Sequence, residues 1–81
     1  MKLAGTVELM QSEDFKERFR AEYYQTKIRS GNLRDMLVKY DAGTLAFSPK
    51  CSLETLKKQY SVMIDYLYIL EVRAAIEGIE L

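Results

Sequence analysis

A run of apolar residues at alternating three- and four-residue intervals constrains the fold of this 81-residue chain most strongly. The run is unbroken over seven positions: Leu53, Leu56, Tyr60, Met63, Leu67, Leu70 and Ala74. This spacing places all seven side chains along one face of an α-helix. Ser52 suits the cap at the start of such a helix, and Gly78 suits its end. We therefore predict a long helix over residues 52–77.

A second periodic stretch precedes it, over residues 12–42. Ser12-Glu13-Asp14 gives this stretch a hydroxyl followed by two acids, which suits a helix N-terminus. The stretch stops before Gly43, and the connector that follows contains the single proline, Pro49. Ser30-Gly31-Asn32 are three weak helix formers near its middle, so the pattern fits one continuous helix or two shorter ones. We favour one continuous helix.

Two long helices joined by a short connector usually pack antiparallel. The predicted fold is therefore all-α, with a single domain over residues 1–81. In this prediction an antiparallel two-helix hairpin assembles into a homo-oligomeric helical bundle. Residues 1–11 form an N-terminal arm, and the sequence leaves open whether that arm is ordered.

The second predicted helix carries more apolar surface than one neighbouring helix can cover. Beside the seven-residue seam it has a further apolar stripe, which we predict to be an oligomer interface: Val62, Tyr66, Ile69, Val72 and Ile76. A helix that is apolar nearly all round is normally buried. A dimer forming a four-helix bundle is the simplest assembly, while trimers and hexamers stay open. The alternative is a compact monomer in which residues 1–11 cover part of this helix.

The composition argues against catalysis, cofactors and metal binding. The chain has no histidine, so the commonest general base and a common zinc ligand are both missing. We interpret the single cysteine, Cys51, as a small residue that closes the connector onto the core. Twelve basic and twelve acidic side chains cancel, which argues against nucleic acid as a partner. No apolar run suits a membrane span or a signal peptide, so we expect a cytoplasmic protein.

One stripe on the first predicted helix is a candidate ligand site. Arg20, Tyr24, Lys27 and Arg34 follow one another along a helical face, with Gly31 between the last two. Two such stripes meeting between copies would form a pocket for an anionic, aromatic ligand such as a nucleotide. The cations would contact phosphate and the tyrosine would stack on a base. The alternative is that these side chains form a solvated face of the helix.

The chain also resembles a group of small uncharacterised helical proteins of tailed phages and prophages, some named after a gene of crAss-like gut phages. Three segments carry the resemblance: Glu13 to Tyr24, the connector Ala42-Gly43-Thr44-Leu45 with Phe47 and Pro49-Lys50-Cys51, and Tyr66 to Gly78. Ser30-Gly31-Asn32 departs from the group, in which better helix formers are expected.

The resemblance implies a non-enzymatic accessory protein in an infected bacterial cell. Small phage proteins in that setting often counteract host defence, and some oligomeric ones sequester cyclic-nucleotide or ADP-ribose-type immune signals between subunits. For this chain that function is an analogy of setting and size. The expected partners are further copies of the chain and such a signal, or a host defence protein. The alternative function is an adaptor that docks another protein through the second predicted helix.

Overall fold

The structure, a computed structural model, describes all 81 residues, and every regular element in it is a helix. A short 3-10 helix (Leu3–Thr6) leads into α1 (Val7–Met10), and two long helices follow, α2 (Phe15–Ala42) and α3 (Leu53–Glu77). The molecule measures 43 × 24 × 17 Å. Its longest dimension matches the length of about 42 Å that 28 helical residues span. The prediction of an all-helical chain is confirmed.

The long helices begin and end at capping residues. The Asp14 side chain caps α2 by accepting a hydrogen bond of 2.9 Å from the Lys16 amide. Ser12 was predicted to start this helix, but its hydroxyl instead accepts from the Asp14 amide and stabilises the turn before it. Ser52 caps α3 as predicted, accepting from the Thr55 amide at 3.2 Å. Gly43 and Gly78 end the two helices with φ of 76° and 70°, values that favour glycine.

Helix α2 is continuous through Ser30-Gly31-Asn32. The hydroxyl of Ser30 donates to the Lys27 carbonyl at 3.0 Å, and the hydroxyl of Thr26 donates to the Glu22 carbonyl at 2.9 Å. Both hydroxyls thus have a partner in the backbone of their own helix, including that of Ser30, which is only 3% exposed. The alternative of two shorter helices is not what the chain adopts.

The inner face of α3 is the predicted seam. All seven residues of the seam are buried or half-buried, and every other residue of α3 is exposed. The core forms where this seam meets α2, and it consists of Phe19, Tyr23, Leu67, Leu70, Ala74 and Ile79. Ile79 lies beyond the end of α3, and its amide donates to the Ala74 carbonyl at 2.9 Å, which folds the tail onto the core.

Contacts at both ends show how α3 lies on α2. Lys57, near the start of α3, pairs with Asp41, near the end of α2, at 3.2 Å. At the opposite end, the Arg20 Nε donates to the Glu80 carbonyl at 2.6 Å. Helix α3 therefore runs back along α2 in the opposite direction. Exposed ion pairs such as Lys57–Asp41 contribute little free energy, so the buried core supplies most of the stability.

The N-terminal residues pack on α2. Thr6 is fully buried, its hydroxyl donates to the Leu3 carbonyl at 2.7 Å, and it accepts from the Gln25 side chain at 3.0 Å. The same Gln25 amide group donates to the Met10 sulfur. The 3-10 helix and α1 contact α2 and do not contact α3. Residues 1–11 consequently leave the outer surface of α3 uncovered, unlike in the compact monomer considered above.

Gly31→Ala is expected to stabilise the chain. A Cβ at Gly31 would meet no atom within 4 Å, and alanine is favoured over glycine inside a helix by about 1 kcal/mol. The melting temperature followed by circular dichroism should rise by about 4–8 °C. Gly43→Ala is the matched control and should lower it, because Gly43 has a positive φ. A lower melting temperature for Gly31→Ala would contradict an unstrained helix at this position.

Candidate functional site

An open groove between α2 and the N-terminus is the only pocket in the structure. Its volume is about 410 Å³, within the range of small-molecule sites. One face of α2 and the first residue of the chain line it: Met1, Tyr24, Lys27, Ile28, Gly31, Asn32 and Asp35. The groove therefore combines an aromatic ring, a cation, a carboxylate and an amide with two apolar side chains.

The groove brings together part of the predicted ligand stripe. Tyr24 and Lys27 line it, as does Gly31 between the predicted positions. Arg20 and Arg34 do not, and Arg20 is bonded to the Glu80 carbonyl. Met1 supplies the wall that does not belong to α2, and Asn32 and Asp35 line the groove from α2. Periodicity within α2 does not show where the N-terminus docks, so sequence reasoning missed these residues.

The Tyr24 ring is held in place by its neighbours. It packs against the core cluster and meets the Tyr23 ring edge-to-face, with 5.2 Å between the ring centroids and an interplanar angle of 77°. Edge-to-face pairs of this kind add stability beyond the area that they bury. A ring already fixed by the core loses little conformational entropy when a planar ligand stacks on it.

The Lys27 ammonium is available to an anion. It is exposed, it takes part in no ion pair within the chain, and its Nζ lies 5.6 Å from the centroid of the Tyr23 ring. Burial raises the pKa of the Tyr23 phenol, an effect that the nearby Lys27 ammonium opposes and the Glu71 carboxylate reinforces. Tyr23 is therefore neutral at physiological pH, and its phenol does not cancel the charge of Lys27.

Asp35 and Asn32 add a carboxylate and an amide to the groove, and both can form hydrogen bonds with a ligand. Asp35 is exposed and forms no ion pair, so its carboxylate can accept hydrogen bonds from hydroxyl or amino groups. Asn32 can both donate and accept. Gly31 leaves the floor between these side chains open, since a Cβ there would occupy free space. The arrangement suits a ligand that carries an anion, a planar ring and several hydrogen-bond donors.

The predicted interface residues all lie on the outer face of α3. Val62, Tyr66, Ile69, Val72 and Ile76 are 57%, 38%, 54%, 40% and 78% exposed. The chain exposes 5942 Å² in total, whereas a folded monomer of 9.4 kDa typically exposes about 5,000 Å². The apolar side chains on this face of α3 contribute to that exposed surface, because no element of the chain covers them.

Three further features bear on the earlier interpretations. Cys51 is exposed, so the prediction that it closes the connector onto the core is wrong. Leu45 and Pro49 are the connector residues that become half-buried instead. No three potential metal ligands come together, and none of the helices has the length and apolarity that crossing a bilayer requires.

Comparison with known proteins gives one match. The model of the Sequestin family matches residues 13–76, which include all of α2 and all but the last residue of α3. The matched range contains every groove residue except Met1, as well as the whole outer face of α3. No curated protein and no solved structure matches the chain.

Proposed function

The chain belongs to the Sequestin family, and we propose that it is a non-enzymatic, homo-oligomeric protein that binds and sequesters a nucleotide-type signal in the groove on α2. The family name is consistent with binding and holding a target. The observation that carries the proposal is the groove itself, in which a fixed aromatic ring, an unpaired ammonium and an unpaired carboxylate face one cavity.

Each part of a nucleotide has a partner in the groove. A phosphate would lie at Lys27, where the hydrogen bond is strengthened by charge. A base would stack on Tyr24. Asp35 and Asn32 would accept hydrogen bonds from ribose hydroxyls or from an exocyclic amino group. A cyclic nucleotide or an ADP-ribose derivative carries all three features.

Self-association is part of this proposal. One lysine is a weak site for a diphosphate, and the groove is open on the solvent side. In an oligomer, cations from a second copy would add to Lys27. Arg34 is a candidate for that role, because it is exposed and forms no ion pair within its own chain. The assembled form would be an antiparallel helical hairpin joined to its copies in a helical bundle.

The biological setting in the proposal is the cytoplasm of an infected bacterium. A phage accessory protein that holds an immune signal without destroying it would suppress host defence by lowering the free concentration of that signal. The likeness of the sequence to small phage proteins supports this setting. Sequestration requires one copy of the site for each signal molecule.

A second candidate function is supported by the exposed apolar face of α3. That face would dock a different protein, such as a component of host defence, and self-association would then be weak. Light scattering separates the two functions. A single chain at high micromolar concentration favours the adaptor, and an oligomer favours the proposal above.

Isothermal titration calorimetry of the purified chain tests the proposed function. Cyclic dinucleotides, cyclic ADP-ribose and ADP-ribose are the probes, and inorganic pyrophosphate is the control that lacks a ring. At least one nucleotide is expected to bind with a dissociation constant of about 1 µM or less, while pyrophosphate binds far more weakly. Mass spectrometry of the released ligand should show an unchanged mass. A chemically altered ligand, or no binding by any probe, would refute sequestration.

A further inference from the structure

The outer face of α3 has an arrangement that is symmetric about one residue. Ile69 lies at its centre, Tyr66 and Val72 lie three residues to either side, and Val62 and Ile76 lie seven residues to either side. A two-fold interface joins residue i of one copy to residue j of the other, and j to i. In two antiparallel α3 helices centred on Ile69, each of these apolar residues would therefore lie opposite an apolar residue of the other copy.

The charges on this face are symmetric as well. Asp65 and Arg73 lie four residues before and after Ile69, so each would face the other across the same two-fold axis. Asp65 is exposed and forms no ion pair within the chain. The Arg73 Nε donates to Glu77 at 3.0 Å, and the guanidinium carbon lies 5.1 Å from the centroid of the Phe19 ring. The two Nη groups make no hydrogen bond within the chain, so they are the donors that would complement the unpaired carboxylate of Asp65.

The apolar side chains of this face are also accessible to a second copy. Each of the five is at least 38% exposed, so the face has side-chain surface that an interface would bury. From the symmetry, the charges and the exposure, we propose that two copies associate through antiparallel α3 helices on a two-fold axis at Ile69, with Asp65 of each copy paired to Arg73 of the other. This gives the self-association in the proposed function one interface and rests on it. The interface covers the side of α3 that faces away from α2, so the contact of another copy's Arg34 with the groove would be a second, separate interface of the oligomer.

Cysteine cross-linking tests the position of the axis. The test uses a Cys51→Ser background. Ile69 lies on the proposed axis, so Ile69→Cys brings the thiols of the two copies together, and oxidation should give a disulfide-linked dimer. Val62→Cys is the matched control, because Val62 is equally exposed. Its equivalents would lie about 21 Å apart along the helices, beyond the reach of a disulfide. Equal cross-linking of both variants in a protein that dimerises would refute the proposed register.

A charge exchange tests the pairing. The Asp65→Arg variant alone would place two arginines opposite each other at both pairs. The Arg73→Glu variant alone would place two acidic side chains opposite each other at both pairs. Each variant by itself should dimerise at least about tenfold more weakly than the wild type, since like charges meet across the interface. A mixture of the two variants restores opposite charges at both pairs, so heterodimers should form with near wild-type affinity. Sedimentation of the mixture measures this, and circular dichroism checks that each variant is folded.

The outcomes separate this inference from the proposed function. A mixture that associates no better than either variant alone would refute the Asp65–Arg73 pairing. A wild-type chain that stays monomeric at high micromolar concentration would refute both the pairing and self-association, while nucleotide binding to the groove could still be measured by calorimetry. Loss of nucleotide binding with an intact, cross-linkable dimer would refute the proposed ligand and leave the interface standing.

Discussion

Replacing Leu70 with aspartate is expected to unfold the chain. Leu70 is 1% exposed and lies in the core between α2 and α3. The substitution removes a buried aliphatic side chain and places an unpaired carboxylate in its position, at a cost of at least about 4 kcal/mol. A domain has only about 5–15 kcal/mol of stability in total, and one this small lies toward the lower end. Circular dichroism should show loss of most of the helical signal at room temperature.

Tyr68→Asp is the matched control for that experiment. It makes a substitution to the same residue two positions earlier in α3, where the side chain is 70% exposed and outside the stripe centred on Ile69. The helical signal and the melting temperature should remain close to those of the wild type, because the carboxylate stays in water. Equal damage from both substitutions, or none from Leu70→Asp, would contradict the assignment of the inner face of α3.

The inner face of α3 was predictable because its signal is local. Seven apolar residues at regular spacing, a serine before them and a glycine after them specify the helix and the side that it buries. The burial along α3 follows this pattern at every position. The start of α2 was harder to predict, since Ser12 and Asp14 both have side chains that cap helices. The structure selects Asp14 as the cap and uses Ser12 in the preceding turn.

The groove was predictable only in part because one of its walls is tertiary. Tyr24 and Lys27 belong to the helical stripe and could be read from spacing alone. The opposite wall depends on how Thr6 and Gln25 dock the N-terminal residues on α2. That contact joins positions far apart in the chain, and neither residue is distinctive in type. Asp35 lines the groove and its neighbour Arg34 does not, because consecutive residues of a helix project about 100° apart.

The exposed face of α3 could be predicted from the sequence, but its partner could not. The sequence shows that one helix has too much apolar surface for a single partner, but it does not show which element covers the surplus. The structure answers half of this question, because the N-terminal segment packs on α2 and leaves α3 uncovered. No element of these 81 residues covers that face, so it is free to bind another molecule. The symmetric placement of Asp65 and Arg73 is the reason to assign it to a second copy.

Gly31→Leu is expected to abolish ligand binding without unfolding the protein. Gly31 forms the floor of the groove between Lys27 and Asp35, and a Cβ there would point into free space. A leucine would fill much of the volume in which a planar ring has to lie against Tyr24. Binding of the nucleotide with the highest affinity should weaken by at least about 100-fold, because the ligand loses its stacking contact and its access to Lys27.

In this variant the stability of the fold and the affinity for the nucleotide are expected to change in opposite directions. Leucine is a better helix former than glycine, so the melting temperature should stay the same or rise. Glu22→Leu is the control, since it adds the same side chain at an exposed position of α2 outside the groove. It should bind the nucleotide like the wild type in calorimetry. Wild-type affinity in a well-folded Gly31→Leu variant would mean that the ligand binds elsewhere, and the groove would lose its assigned role.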